Sequence, residues 1–203
     1  VEEISTIATH LAKLLRNTIN SGEEIVTVEE SIKVIKSYLL IQKIRYSEKF
    51  DIHIDIEEQI MQCKVPKLIF QPIVENATIH GLESKVGHGM LSIKGIKQEE
   101  HMIFTISDNG VGMDREYVEA IQKGQYSHLQ KSDSIGIQNV DRRIKLYYGI
   151  EYGLQVESSP EKGTTIIFKI PITTGGEGIA IVQKLEPDIV ITDVRMPGLD
   201  GIE

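Results

Sequence analysis

Tryptophan is absent from this sequence and cysteine occurs once, at Cys63. A single thiol excludes an internal disulfide framework and a metal site built on several cysteines, and it suits a reducing compartment such as the cytoplasm. Basic residues are in the minority: 22 Lys and Arg stand against 30 Asp and Glu, a formal charge of −8. With no basic tract, the surface is not one for nucleic acid, whose phosphates are held by clustered Lys and Arg. No apolar run approaches the roughly 18 residues of a membrane-spanning helix, and the acidic start, Val1 to Ser5, is unlike a signal peptide. Beginning on Val rather than Met, the chain reads as a piece of something longer, with membrane contact only through other parts of its parent. What is present is an ordinary share of core formers, 40% of 203 residues, enough for one domain or one plus a fragment.

Ile4, Ile7, Leu11 and Leu14 recur at helical spacing over residues 4 to 19, and Asn20, Ser21 and Gly22 break the pattern. A second helix starts near Thr27, where Thr27 and Glu30 match a capping box, and it carries Ile32, Ile35, Leu39, Gln42 and Tyr46 on one seam. This helical hairpin cannot close a core alone, so its apolar face packs on the next domain or on a second copy as a four-helix bundle. From Phe50 the period becomes two, with Ile52, Ile54 and Ile56 alternating with Asp51, His53 and Asp55, a half-buried strand with His53 on its solvated side. Strands are expected at 91–96, 102–107, 154–158 and 164–170, helices at 114–123 and 136–148, and a loop at 124–134. The pattern is that of an α/β (α+β) two-layer sandwich, helices on one face of a largely antiparallel sheet.

Within this frame residues 69 to 81 are expected to form a helix, with Pro72 in its first turn and Gly81 at its end. It is apolar almost all round yet carries Glu75, Asn76 and His80, with Asn76 and His80 four apart on one face. Such an amide beside a carboxylate can offer oxygen to Mg²⁺, and the His can reach a phosphate; a core helix with one polar stripe fits equally. Asp108 shares the apolar face of its strand with Phe104 and Ile106, and Asn109-Gly110-Val111-Gly112 follows as a tight turn. An adenine amino group would be a suitable donor to that carboxylate, although Asp-Asn-Gly is also an ordinary turn. Gly136 opens a helix whose amides could hold phosphate, and Gly163-Thr164-Thr165 opens a strand.

In their order and spacing these pieces resemble the GHKL (Bergerat-fold) ATPases, in particular the LytS/YesM-like sensor histidine kinases, over about residues 4 to 172. QPIVENATIHG resembles the N box, SDNGVGM the first glycine box, SIGIQNVDRRIKLYYG the second, and EKGTTIIFKIPI the closing strand. The resemblance implies that Asn76 ligates Mg²⁺, with Glu75 beside it and His80 near the phosphates. It implies that Asp108 holds the adenine of ATP and that Gly110 and Gly112 shape the pocket. Gly136 would belong to the lid, and Ile137 and Thr164 join the nucleotide-binding set. Ile79 stands where many relatives have Lys, so Lys85 or Lys131 would have to supply that charge, and Ser134 stands where the second glycine box often starts with Gly. The family's Pro-His-Phe type acceptor motif is absent, and His10 lacks its surroundings.

After Thr173-Thr174-Gly175-Gly176 the text changes, and residues 178–203 resemble the middle of a response-regulator receiver, with Asp193 at the phosphoacceptor position and the receiver's acidic pair absent. The expected organisation is a hairpin, partly a dimerisation region, at 1–48, an ATP-binding catalytic domain at 49–173, and a truncated receiver-like segment at 174–203. The expected activity, in the parent, is transfer of the γ-phosphoryl of Mg-ATP to a histidine for relay to a cognate response regulator, the kinase being a homodimer through the hairpin. This truncated chain would not phosphorylate itself. The alternatives are another ATPase or a serine-directed kinase of the same fold, or a non-enzymatic nucleotide-binding or dimerisation module.

Overall fold

The computed structural model describes residues 25–46, 49–123 and 134–172. The helix expected at 4–19, the loop at 124–133 and the receiver-like tail lie outside these residues, and with them His10, Lys131 and Asp193.

Strand β1 (Ile25–Thr27) leads directly into α1 (Val28–Arg45) through the capping box that Thr27 and Glu30 announce. The Glu30 amide donates to Thr27 Oγ1 at 3.1 Å, and the Thr27 amide donates to Glu30 Oε2 at 2.7 Å. Glu29 and Glu30 in the first turn and Lys43 and Arg45 in the last oppose the helix dipole. The seam of Ile32, Ile35, Leu39 and Gln42 is buried, and it is covered by the rest of this domain. For α1, the next domain is thus the partner of the buried seam, while the first helix of the expected hairpin lies outside the described residues.

Strand β2 (Phe50–Ile56) shows the expected alternation, with Phe50 buried and Asp51, His53 and Asp55 exposed. A 3-10 turn at Glu58–Ile60 and β3 (Lys64–Pro66) follow. β3 pairs antiparallel with β1, Val26 opposite Val65, and the Val28 and Glu29 amides donate to the Cys63 and Met61 carbonyls at 2.9 Å. This two-stranded sheet, which the sequence does not announce because three residues show no countable alternation, stitches the start of α1 to the domain.

Helix α2 (Gln71–Glu75) passes without a break into a π-helical segment, Asn76–Leu82. The single α-helix expected over 69–81 is thereby corrected: Ile69 precedes the helix, and the helix runs past Gly81. The next strands are β4 (Gly89–Gln98) and β5 (His101–Asp108), the expected hairpin, followed by α3 (Arg115–Gln122), α4 (Ser134–Tyr148), β6 (Leu154–Ser159) and β7 (Gly163–Pro171). α4 begins two residues before Gly136, so Gly136 lies inside its first turn and Ser134 belongs to helix rather than loop.

The five-stranded sheet has the order β2-β4-β5-β7-β6, antiparallel except for the parallel β2–β4 pair. That pair requires a long crossover, and residues 57–88, with β3 and α2, supply it. One face of the sheet is covered: Leu91, Ile93, Phe104, Ile106, Ile166 and Phe168 meet Ile35 of α1, Ile73, Val74 and Ala77 of the α2 region, and Ile137, Val140 and Ile144 of α4 in a single core. Phe70, Phe104 and Phe168 cluster at its centre, with Phe70 edge-on to Phe104 at 4.9 Å between centroids. The result is a two-layer α/β sandwich.

Candidate active site

The separated sequence pieces converge where the C-terminal end of β5 meets the π segment and the start of β7. Strand alternation turns Asp108 inward with Phe104 and Ile106, leaving it 9% exposed. Its Oδ1 accepts from the Gly110 amide at 2.8 Å, and the amide of Thr164, its register partner, donates to it as well. Burial is the dominant influence on the carboxyl and pushes its pKa up to about 6, while the Gly110 and Thr164 amides and the Lys85 charge act against it. At neutral pH the group is an ionised acceptor in a nearly dry position. Lys85, one of the two lysines that could supply the missing basic contact, is thus close enough to be felt at the site.

The glycines around Asp108 are explained by packing. A Cβ on Gly81 would stand 2.9 Å from Asp108 Oδ1, and one on Gly110 would overlap the Gly81 backbone. The Val111 amide donates to the Gly81 carbonyl at 3.0 Å, closing that contact. Gly112, at φ +69°, abuts the Ser159 carbonyl, and Gly163, at φ +86°, abuts the backbone of Asp108 and Asn109. Gly110 and Gly112 therefore set the path of the loop by letting segment lie on segment; the space beside each is filled by backbone. Asn109 Oδ1 accepts from the Met90 amide at 2.7 Å, and Ser158 Oγ accepts from the Met113 amide at 2.9 Å, tying both ends of the turn to neighbouring strands. Neither anchor is visible in the sequence, since only register brings Ser158 beside this turn.

The π geometry changes the relation among the N-box side chains. Bonds from i to i+5 stack residues five apart, so Asn76 lies one turn from Gly81, which itself touches Asp108. Asn76 is 7% exposed. His80 is exposed, so the shared face expected for Asn76 and His80 gives way to different surroundings for the two. Glu75 is half-buried and accepts from Gln71 Nε2 at 2.8 Å. Gly136 packs on Pro72, which brings the first turn of α4 against α2. Ile137 has its side chain wholly in the core, leaving only its backbone for a ligand. Thr164, also buried, contributes its amide to Asp108 and shares a 2.9 Å hydrogen bond with Ser158 Oγ.

A groove of about 420 Å³ lined in part by His101, Tyr152, Gln155 and Lys169 lies on the other face of the sheet and contains none of these residues. No helix among the described residues is long and apolar enough to cross a membrane.

Comparison with known proteins agrees with this fold. Residues 64–174, more than half of the chain, match the family described as histidine kinase-, DNA gyrase B-, and HSP90-like ATPase, and residues 1–50 match a histidine kinase family. The sensor histidine kinase YesM of Bacillus subtilis (strain 168) is 34% identical over 170 residues, 84% of this chain and 28% of the relative. The sensor histidine kinase BtsS of Escherichia coli (strain K12) is 27% identical over the same shares. The chain thus spans about 28% of the length of these relatives. Among solved structures, a nucleotide-free catalytic domain of histidine kinase ThkA covers 75% of this chain and 100% of its own, with a TM-score of 0.56 at 14% identity. The histidine kinase domain from Erythrobacter litoralis EL346 covers 88% of this chain and 77% of its own, with a TM-score of 0.52 at 11% identity. The chain belongs to the histidine kinase-, DNA gyrase B- and HSP90-like ATPase family, and its α/β domain is of the kind carried by sensor histidine kinases.

Proposed function

We propose that this domain binds Mg-ATP and, in its parent protein, serves transfer of the γ-phosphoryl group to a histidine. The observation that carries the reading is Asp108: an ionised, nearly buried carboxylate with two backbone donors, seated against Gly81 of the π segment that also carries the buried amide of Asn76. Asp108 accepts from the adenine amino group and so selects adenine over guanine, which presents a carbonyl at that place. Among the described residues no three His, Cys, Asp or Glu side chains are grouped to cage a metal. Asn76 would hold Mg²⁺ through its amide oxygen, the other ligands being phosphate oxygens and water, which is the usual coordination of this ion. When bound, Mg-ATP supplies the phosphoryl group and a metal charge that offsets the charge developing on the leaving oxygen. In the transfer the γ-phosphorus–oxygen bond to ADP breaks, a phosphorus–nitrogen bond forms to an imidazole, and the imidazole proton passes to a base. The protein's part is positioning: Asp108 fixes the base, Asn76 the metal, Glu75 stands beside it, and Gly136 places the first turn of α4, with Ile137 offering backbone and Thr164 bracing Asp108. His80 and Lys85 would lie toward the phosphates.

The same reading extends to the rest of the chain. The segment before residue 25 would contribute to dimerising the parent on the cytoplasmic side, α1 would belong with residues 49–173 to the catalytic unit in place of the boundary expected at 48, and a cognate response regulator would take the phosphoryl group. Residues 174–203 would be a receiver-like fragment, with Asp193 left inactive by the lack of an acidic pair. The chain would not label itself, because the acceptor motif is missing. The test is incubation with γ-labelled ATP, alone and with a separate acceptor-helix fragment from a relative. Label on the fragment and none on the chain is the expected result; acid-labile label on His10, or no label anywhere despite bound ATP, would contradict it.

A further inference from the structure

Helix α1 is fastened to the π segment at both ends of that segment. Tyr38, buried on α1, has its hydroxyl 3.0 Å from Thr78 Oγ1. The one hydroxyl proton of Thr78 is directed back to the Val74 carbonyl at 2.9 Å, with the Glu75 carbonyl at 3.2 Å. With that proton committed, Thr78 can only accept, so Tyr38 donates. At the other end, the Tyr46 hydroxyl donates to Glu83 Oε2 at 2.8 Å and Lys49 Nζ donates to the Glu83 carbonyl at 2.6 Å. The Glu83 amide itself donates to the Thr78 carbonyl at 3.0 Å, the i to i+5 bond that closes the segment. Thr78 is therefore both the residue whose carbonyl takes the closing π bond and the place α1 grips.

A seven-residue π run is rare, and it persists where neighbours hold it; a Thr hydroxyl bonded to the preceding turn is a known way to distort a helical ladder. Relaxation to α geometry would rotate everything beyond the segment by roughly 100° relative to its start. Gly81 would then leave its seat against Asp108 and Gly110, and Asn76 would no longer stand one turn from it.

We infer that Tyr38 and Thr78 are positioning residues for the nucleotide site: their buried hydrogen bond holds Asn76–Leu82 in the π register and so sets the Asn76 amide relative to Asp108. This rests on the Mg-ATP reading above. α1 falls within the residues 1–50 matched to the histidine kinase family, so displacement of that helix would reach the site by this contact.

The test uses Tyr38→Phe, Thr78→Val and Thr78→Ser in the full chain, with thermal melts to fix a temperature at which all are folded. Without nucleotide, Tyr38→Phe and Thr78→Val are expected to speed amide exchange at Leu82 and Glu83, with Thr78→Ser close to wild type. In titrations, the first two are expected to weaken ATP binding about fivefold in Mg²⁺, the scale of one lost hydrogen bond, and distinctly less with chelator. Wild-type exchange in Tyr38→Phe and Thr78→Val overturns the inference, as does an equal loss of affinity with and without Mg²⁺, or Thr78→Ser behaving like Thr78→Val. If wild type binds no Mg-ATP, the functional reading fails, and the exchange measurement still decides whether the contact holds the register.

Discussion

In the proposed nucleotide site the central residue is Asp108, and its environment gives the chain a pH signature. A carboxyl whose folded pKa lies near 6, above the ordinary 3.8, contributes stability that is fully present below about pH 4 and lost as pH rises through about 6. The loss is on the order of 3 kcal/mol at roughly 1.4 kcal/mol per pH unit, and chemical denaturation at pH 4, 5, 6 and 7 should show it as a contribution absent from Asp108→Asn. ATP affinity should run the other way, falling below about pH 6 as the acceptor is protonated and levelling above it, a trend that titrations across pH 5 to 8 would reveal. The glycine behind the carboxylate gives a sharper contrast. Gly81→Ala sets a methyl against Asp108 Oδ1 and should cost ATP affinity at modest cost in stability, whereas Gly110→Ala meets backbone and should lower the melting temperature severely. Asp108 is legible in the sequence because strand alternation by itself turns the side chain inward. Gly81 reads there as a helix terminator, wrongly, because a sequence does not say whether a glycine is needed for its φ or for what lies beside it.

At the scale of elements, legibility follows the length of the repeating pattern. The capping box, the seam of α1 and the β4–β5 hairpin are all long or specific enough to count, and each stands where its pattern puts it. β1 and β3, three residues each, are not. The π segment is hidden for a different reason: within it Thr78 bonds back to Val74 and accepts from Tyr38, and a partner forty residues away leaves no local trace. The start of α1 offers a simple check, since Thr27→Ala removes one half of the capping box and should cost about 1 kcal/mol in denaturant unfolding. An unchanged midpoint would mean that the β1–β3 pairing alone fixes that end.

For the whole molecule, the consequence is that α1 is part of the body that carries the site. Its buried residues Val28, Ile32, Ile35 and Leu39 share one core with the sheet, although the sequence suggests a boundary near residue 48. A chain beginning at residue 25 should therefore fold and melt cooperatively, whereas one beginning at 49 should leave the core that α1 shares with the sheet incomplete and aggregate; size-exclusion and calorimetric scans of the two distinguish these outcomes. The central claim, that this body is a nucleotide pocket organised by Asp108, is tested most directly by calorimetric titration of the full chain with ATP and GTP in Mg²⁺, repeated on Asp108→Asn. Binding of ATP in clear preference to GTP is the expected result, with a loss of about 1.5 to 3 kcal/mol in the variant, the worth of a hydrogen bond to a charged group. Equal affinity for the two nucleotides, or ATP binding untouched by the substitution, would contradict it.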